Sequence, residues 1–189
     1  MRLLLVRHPK PDIAVGICYG HLDMDAEAAD LARVVAQLSK LSAPIATASS
    51  PLKRAHQLAA AMTSQGWPAP ELHDDLREMH FGDWEGRNWS DIPRDEIDAW
   101  AANTLGFIPP GGESVQQLAE RSSRAIRQLF KNAHARFPSA KPDDSVMVFC
   151  HAGVLQTAQV LLRGETLHPK NDVKLKYAYG DVVDVFLEG

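Results

Sequence analysis

Two short, uninterrupted apolar runs each end in a histidine. Leu3-Leu4-Leu5-Val6 leads into Arg7-His8, and Val146-Met147-Val148-Phe149-Cys150 leads into His151-Ala152-Gly153. Apolar runs without alternation suit strands buried on both faces of a sheet. Pro44-Ile45-Ala46-Thr47-Ala48 is a weaker third run. Val182 to Leu187 follows Gly180-Asp181 and reads as an edge hairpin with Leu175–Tyr179.

Helical patterns fill the gaps. Val115, Leu118, Ala119, Ser122, Ile126, Leu129, Phe130 and Ala133 recur at three- and four-residue steps, which makes one apolar stripe. Ser114 with Gln117 three residues on forms a capping-box start, and Pro138 marks the end. Further helices are expected from Glu27 to Leu41, from Ser50-Pro51 with Ser50 as N-cap, and from Gly153 to about Leu162. Strands alternating with helices of this length imply an α/β layered fold with a mostly parallel sheet. One domain over residues 1–189 is expected, with an excursion around 84–110 where Trp89, Trp100, Pro93, Pro109 and Pro110 break the pattern. Trp84 reads as structural there, while Trp89 and Trp100 are either structural or part of a cap over a site.

Composition narrows the partners. Twenty Lys and Arg stand against 24 Asp and Glu, for a net charge of −4 over 189 residues. Nothing basic enough for nucleic acid or an anionic membrane surface is present. The long uncharged stretch Ser145–Leu162 carries His151, Gln156, Thr157 and Gln159, so it suits a strand–turn–helix unit better than a membrane span. Cys18 and Cys150 make no disulfide framework; Cys150 reads as a buried apolar group and Cys18 as a loop thiol. The first apolar run is too short for a signal-peptide core. A cytoplasmic protein is expected, with its oligomeric state left open.

In open α/β sheets ligands bind beyond the carboxyl ends of the strands, where Arg7-His8 and His151 fall. Arg54 falls in the first turn of a helix, beside unpaired N–H groups. Arginines next to helix N-termini suit an anion, most often phosphate. A zinc site built from His8, His21, His80 and His151 is the competing use of these side chains. No close ligand spacing supports it, and Arg7 would repel a dication.

Five ordered blocks carry a resemblance: Leu5-Val6-Arg7-His8, Ser49-Ser50-Pro51-Leu52-Lys53-Arg54-Ala55, Leu76 to Gly86, Pro110-Gly111-Gly112-Glu113-Ser114 and Cys150-His151-Ala152-Gly153-Val154. Together they resemble the histidine phosphatase superfamily, the phosphoglycerate mutase-like clan, on its phosphatase side. The resemblance implies a three-layer α/β/α sandwich and a phosphohistidine intermediate. His8 matches the nucleophile, Arg7 and Arg54 the phosphate-binding arginines, His151 the second pocket histidine and Glu78 the proton donor. It further implies a small phosphomonoester as substrate and neither metal nor cofactor. Pro9 stands where the family usually has glycine, so no amide N–H at that position can meet a phosphate. The stretch Gly16 to Asp23 resembles members associated with α-ribazole phosphate. The alternatives are a phosphoglycerate-type mutase and a non-catalytic phospho-ligand binding module on the same fold.

Overall fold

The computed structural model describes residues 1–169 and 177–185. Five strands form one sheet: β1 (Arg2–Arg7), β2 (Ala46–Ser49), β3 (Glu71–Leu72), β4 (Ser145–Cys150) and β5 (Val182–Val185), in the order β3-β2-β4-β1-β5. β1, β2, β3 and β4 run parallel, and β5 pairs antiparallel with β1 at the edge. Of the expected hairpin partner Leu175–Tyr179, residues 175 and 176 lie outside the described residues, as do Phe186 and Leu187. Residues 177–179 form coil and turn, so β1 is the partner that β5 uses.

The helices are α1 (Ala28–Leu38), α2 (Lys53–Ser64), α3 (Arg94–Ala102), α4 (Val115–Arg136) and α5 (Ala152–Leu162). The apolar run of β1 divides between the two faces of the sheet. Leu4 and Val6 pack with Val34 and Leu38 of α1 and Leu58 and Met62 of α2. Leu3 and Leu5 face the opposite way, toward Leu118 and Ile126 of α4 and Leu155 and Leu162 of α5. That division makes the three layers. Each fully buried leucine in them contributes about 1.5–3 kcal/mol by leaving water.

Local signals set most helix ends. Ser114 caps α4 by accepting from Gln117 N, while the Gln117 side chain accepts from Ser114 N, so the capping box forms. Ser50 does not cap α2. That helix opens at Lys53, whose N–H donates to Asp23 Oδ1 at 2.7 Å, so its first turn is satisfied by a side chain thirty residues earlier in the chain. The 84–110 stretch contains α3 and one short 3₁₀ turn, Trp89–Asp91. Trp84 is fully buried within it and packs against the rings of Trp89, Trp100 and Phe107. Cys18 lies on a loop and is buried in the same cluster, and burial pushes its thiol up to about 12. No helix among the described residues is long and apolar enough to cross a membrane.

Candidate active site

The register of the central strand pair builds the site. Arg7 of β1 lies opposite Cys150 of β4, and His8 N–H donates to Cys150 O at 3.0 Å. The next residue along each strand is therefore a histidine, and the two rings meet with centroids 5.0 Å apart. Two residues more than 140 positions apart become neighbours because two parallel strands end level.

Each histidine has one ring nitrogen fixed. His8 Nδ1 lies 2.5 Å from Pro9 O. A carbonyl only accepts, so Nδ1 carries the proton and Nε2 keeps its lone pair. His151 Nε2 lies 2.8 Å from Ser50 Oγ, which itself accepts from Leu52 N. This contact fixes the orientation of the His151 ring and leaves its Nδ1 turned away from Ser50. Reading Ser50 as a helix cap concealed this role; a serine directly before Pro51 is what invited that reading.

The arginines are held by aromatic and backbone groups. Arg54, fully buried, donates from Nη1 to Leu22 O and from Nη2 to Gly20 O, and its guanidinium lies over the Tyr19 ring. Arg7 donates to Tyr177 O and stacks over Tyr179 at 4.0 Å. The Tyr19 and Tyr179 hydroxyls meet at 3.1 Å and join the two supports. Glu85 pins the loop that grips Arg54: its carboxylate accepts from His21 N, Leu22 N and Phe81 N. Gly20 is required there, since a Cβ would sit 1.8 Å from Met79 O. Sequence reasoning gave no role to Tyr19, Tyr179 or Glu85. Glu85 lies inside a quoted motif, but nothing local marks it as the anchor of a loop sixty residues earlier.

Glu78 reaches the same place from a third direction. Its Oε1 accepts from Met79 N at 2.9 Å and its Oε2 from Gly153 N at 3.0 Å, at the N-terminus of α5. A cavity of about 260 Å³ is lined by Arg7, His8, Tyr19 and Glu78, with Trp89 and Trp100 of the 84–110 stretch in its wall. Arg54 and His151 lie behind this surface, both fully buried. Arg7 Nε, Arg54 Nε and His151 Nδ1 are buried polar atoms with no partner among the described residues. Of the five residues singled out in the sequence, Arg7, His8 and Glu78 line the cavity, while His151 packs on the His8 ring and Arg54 is buried behind it. His21 does not join them: it stacks on His80 at 4.5 Å, and no three His, Cys, Asp or Glu among the described residues form a group able to hold a metal ion.

Burial, with Arg54 beside it, drives the His8 pKa well below the ordinary imidazole value. The same two causes, in the same order, lower that of His151. Both rings are neutral near pH 7, which leaves His8 Nε2 nucleophilic. The folding consequence has a definite sign. Below about pH 6.5 the unfolded chain protonates these histidines while the folded one resists, so stability falls as pH falls. The slope is up to about 1.4 kcal/mol per pH unit for each ring. Chemical unfolding between pH 7 and 5 is expected to show it, with one proton fewer taken up on unfolding in His8→Asn.

Gly153 supplies a further test. A Cβ there would lie 2.2 Å from Glu78 Oε1 and 3.0 Å from Leu118 Cδ2. The movable end of the Glu78 side chain must yield, so Gly153→Ala is expected to slow any reaction that uses that carboxylate by ~10²-fold through its misplacement. The thermal midpoint should fall by only a few degrees. Parent-level activity in that variant would show that the Glu78 position is unimportant.

Comparison with known proteins agrees with this geometry. A family model described as histidine phosphatase superfamily (branch 1) matches residues 3–185. The chain is 34% identical over 165 residues to the metal-independent phosphoserine phosphatase of Arabidopsis thaliana, covering 82% of this chain and 65% of that protein. It thus spans just under two thirds of that relative's length. It is 29% identical over 165 residues to the adenosylcobalamin/alpha-ribazole phosphatase of Escherichia coli, covering 82% of this chain and 75% of the relative. Among solved structures, mycobacterial glucosyl-3-phosphoglycerate phosphatase superposes with a TM-score of 0.76 at 28% identity, over 90% of this chain and 82% of that one. An α/β sheet that ends two strands level in histidines, read together with these matches, leads to one conclusion: the chain belongs to the histidine phosphatase superfamily, branch 1.

Proposed function

We propose that the chain hydrolyses a small phosphomonoester without a metal ion, by way of a phosphoryl group carried on His8. The observation that supports this most is the His8 ring. Its Nδ1 is held by Pro9 O, which leaves the Nε2 lone pair free beside a cavity that Arg7 and Glu78 also line. Nε2 forms the bond to phosphorus as the ester P–O bond breaks, and the departing alkoxide takes a proton from the Glu78 carboxyl. Water then attacks the phosphohistidine, the P–N bond breaks, and the water proton returns to Glu78. Arg7, Arg54 and His151 supply the donors for the charge on the equatorial oxygens, the part a dication plays elsewhere. Pro9 costs the site an N–H, yet its carbonyl still orients the nucleophile.

Hydrolysis is favoured over mutase chemistry by the 84–110 stretch. Asp91, Asp95, Glu96 and Asp98 there outnumber Arg87 and Arg94, which disfavours a second acidic group on the substrate. We read that stretch as a partial cap on one domain. The testing experiment presents labelled phosphoserine, glucosyl-3-phosphoglycerate, α-ribazole phosphate and p-nitrophenyl phosphate to protein dialysed against a chelator. Undiminished turnover and an acid-labile, base-stable phosphoenzyme are expected. Activity lost to the chelator and restored by zinc or magnesium would overturn metal independence. Faster interconversion of phosphoglycerates than phosphate release would overturn the phosphatase reading.

A further inference from the structure

Beyond its charged end, the cavity is built for something without charge. Ile17, Met79, Phe81, Trp89, Trp100 and Leu118 line it, and among the described lining residues Arg7 is the one Lys or Arg. The indoles of Trp89 and Trp100 lie parallel within 13°, with centroids 5.7 Å apart, while Phe81 meets Trp89 edge-on. Their own packing against buried Trp84 keeps these rings in place. Rigid aromatic walls of this kind bind flat apolar groups without ordering flexible side chains.

Two of the lining residues each carry a buried polar atom without a partner. Gln156 is 3% exposed, and its side-chain Oε1 is buried with no hydrogen-bond partner among the described residues. Trp100 Nε1 is likewise buried and unpartnered. An unpaired buried acceptor or donor is costly, and a ligand whose edge atoms reach it would offset that cost. The α5 helix that carries Gln156 also supplies the Gly153 N–H that holds the Glu78 carboxyl group, so the Gln156 amide and the support of Glu78 belong to one rigid element.

We infer that the leaving-group side of this cavity takes an uncharged, flat ring system with one or two hydrogen-bonding edge atoms, so that the substrate is an aryl- or heteroaryl-bearing alkyl phosphate. This rests on the phosphatase reading for the word substrate, but the binding preference stands on the cavity alone. The carboxylate of phosphoserine or of a phosphoglycerate would enter an apolar wall beside Glu78, and Arg7 is already engaged with Tyr177 O and the Tyr179 ring. Burying a charge without a partner is what such a wall rejects.

Phosphonates test this without requiring turnover. Calorimetric dissociation constants are compared for 3-phenylpropylphosphonate, 2-(indol-3-yl)ethylphosphonate, propylphosphonate and 2-amino-3-phosphonopropionate. The two ring-bearing compounds are expected to bind at least ~30-fold more tightly than the other two. Trp89→Leu and Gln156→Leu are expected to shrink that ratio by at least about 5-fold, the second chiefly for the indole compound. Quenching of tryptophan fluorescence should accompany ring binding and weaken in Trp89→Leu. Equal or tighter binding of 2-amino-3-phosphonopropionate would overturn the inference, as would a ratio unmoved by both variants. Tight ring binding with no cleavage of the matching phosphate esters would uphold it and overturn the hydrolytic reading instead.

Discussion

Replacing His8 with alanine is expected to lower phosphomonoester hydrolysis at least about 10³-fold and to abolish the trapped phosphoenzyme. The loss should be chemical rather than structural. The ring is almost fully buried, and its removal forfeits one hydrogen bond to Pro9 O, worth about 1 kcal/mol net, and some packing against His151 and Tyr179. Removing an imidazole that burial already keeps neutral takes no charge out of the core. A thermal midpoint within several degrees of the parent's, with binding of inorganic phosphate retained, would mark the folded but inactive variant. Turnover above a few per cent of the parent rate would exclude a covalent route through His8.

Glu78→Gln is expected to separate two classes of substrate. Alkyl phosphates, whose alkoxides leave poorly, should slow by ~10²–10⁴-fold when the proton donor is lost. p-Nitrophenyl phosphate should slow far less, because nitrophenolate departs without a proton. Glutamine is nearly isosteric, and its carbonyl can still accept from Met79 N or Gly153 N, though its amide cannot accept from both. The substrate dependence, not the size of the loss, is therefore the deciding readout. Equal losses on both substrates would assign Glu78 to orienting α5 and the phosphate rather than to proton transfer.

The two predictions differ in how far the sequence alone could reach. His8 and His151 were legible because each terminates an uninterrupted apolar run, and such runs have few places to go except the centre of a parallel sheet. The stripe and capping box of α4 were legible for a similar reason, since their interactions lie within one turn of the chain. β3, with only two residues, and α3, within the irregular 84–110 stretch, carried no such signal. Trp89 and Trp100 were left between two readings, and they turn out to serve both: they pack on Trp84 and line the cavity.

What the sequence by itself determined is the strands that carry the two histidines and the start of α4, because apolar periodicity and nearest-neighbour capping act over a few residues, while Glu78 was marked only by the family motif. Only the tertiary structure decided how those side chains are held. Pro9 O sets the His8 tautomer and Ser50 orients the His151 ring; Asp23 rather than Ser50 satisfies the start of α2. Glu85 braces the loop whose carbonyls grip Arg54, and Gly153 leaves room for Glu78. All but the first of these contacts join residues far apart in the chain. Hydrogen bonds of that kind depend on where backbone groups end up after the layers pack, and no local pattern of hydrophobicity encodes that position.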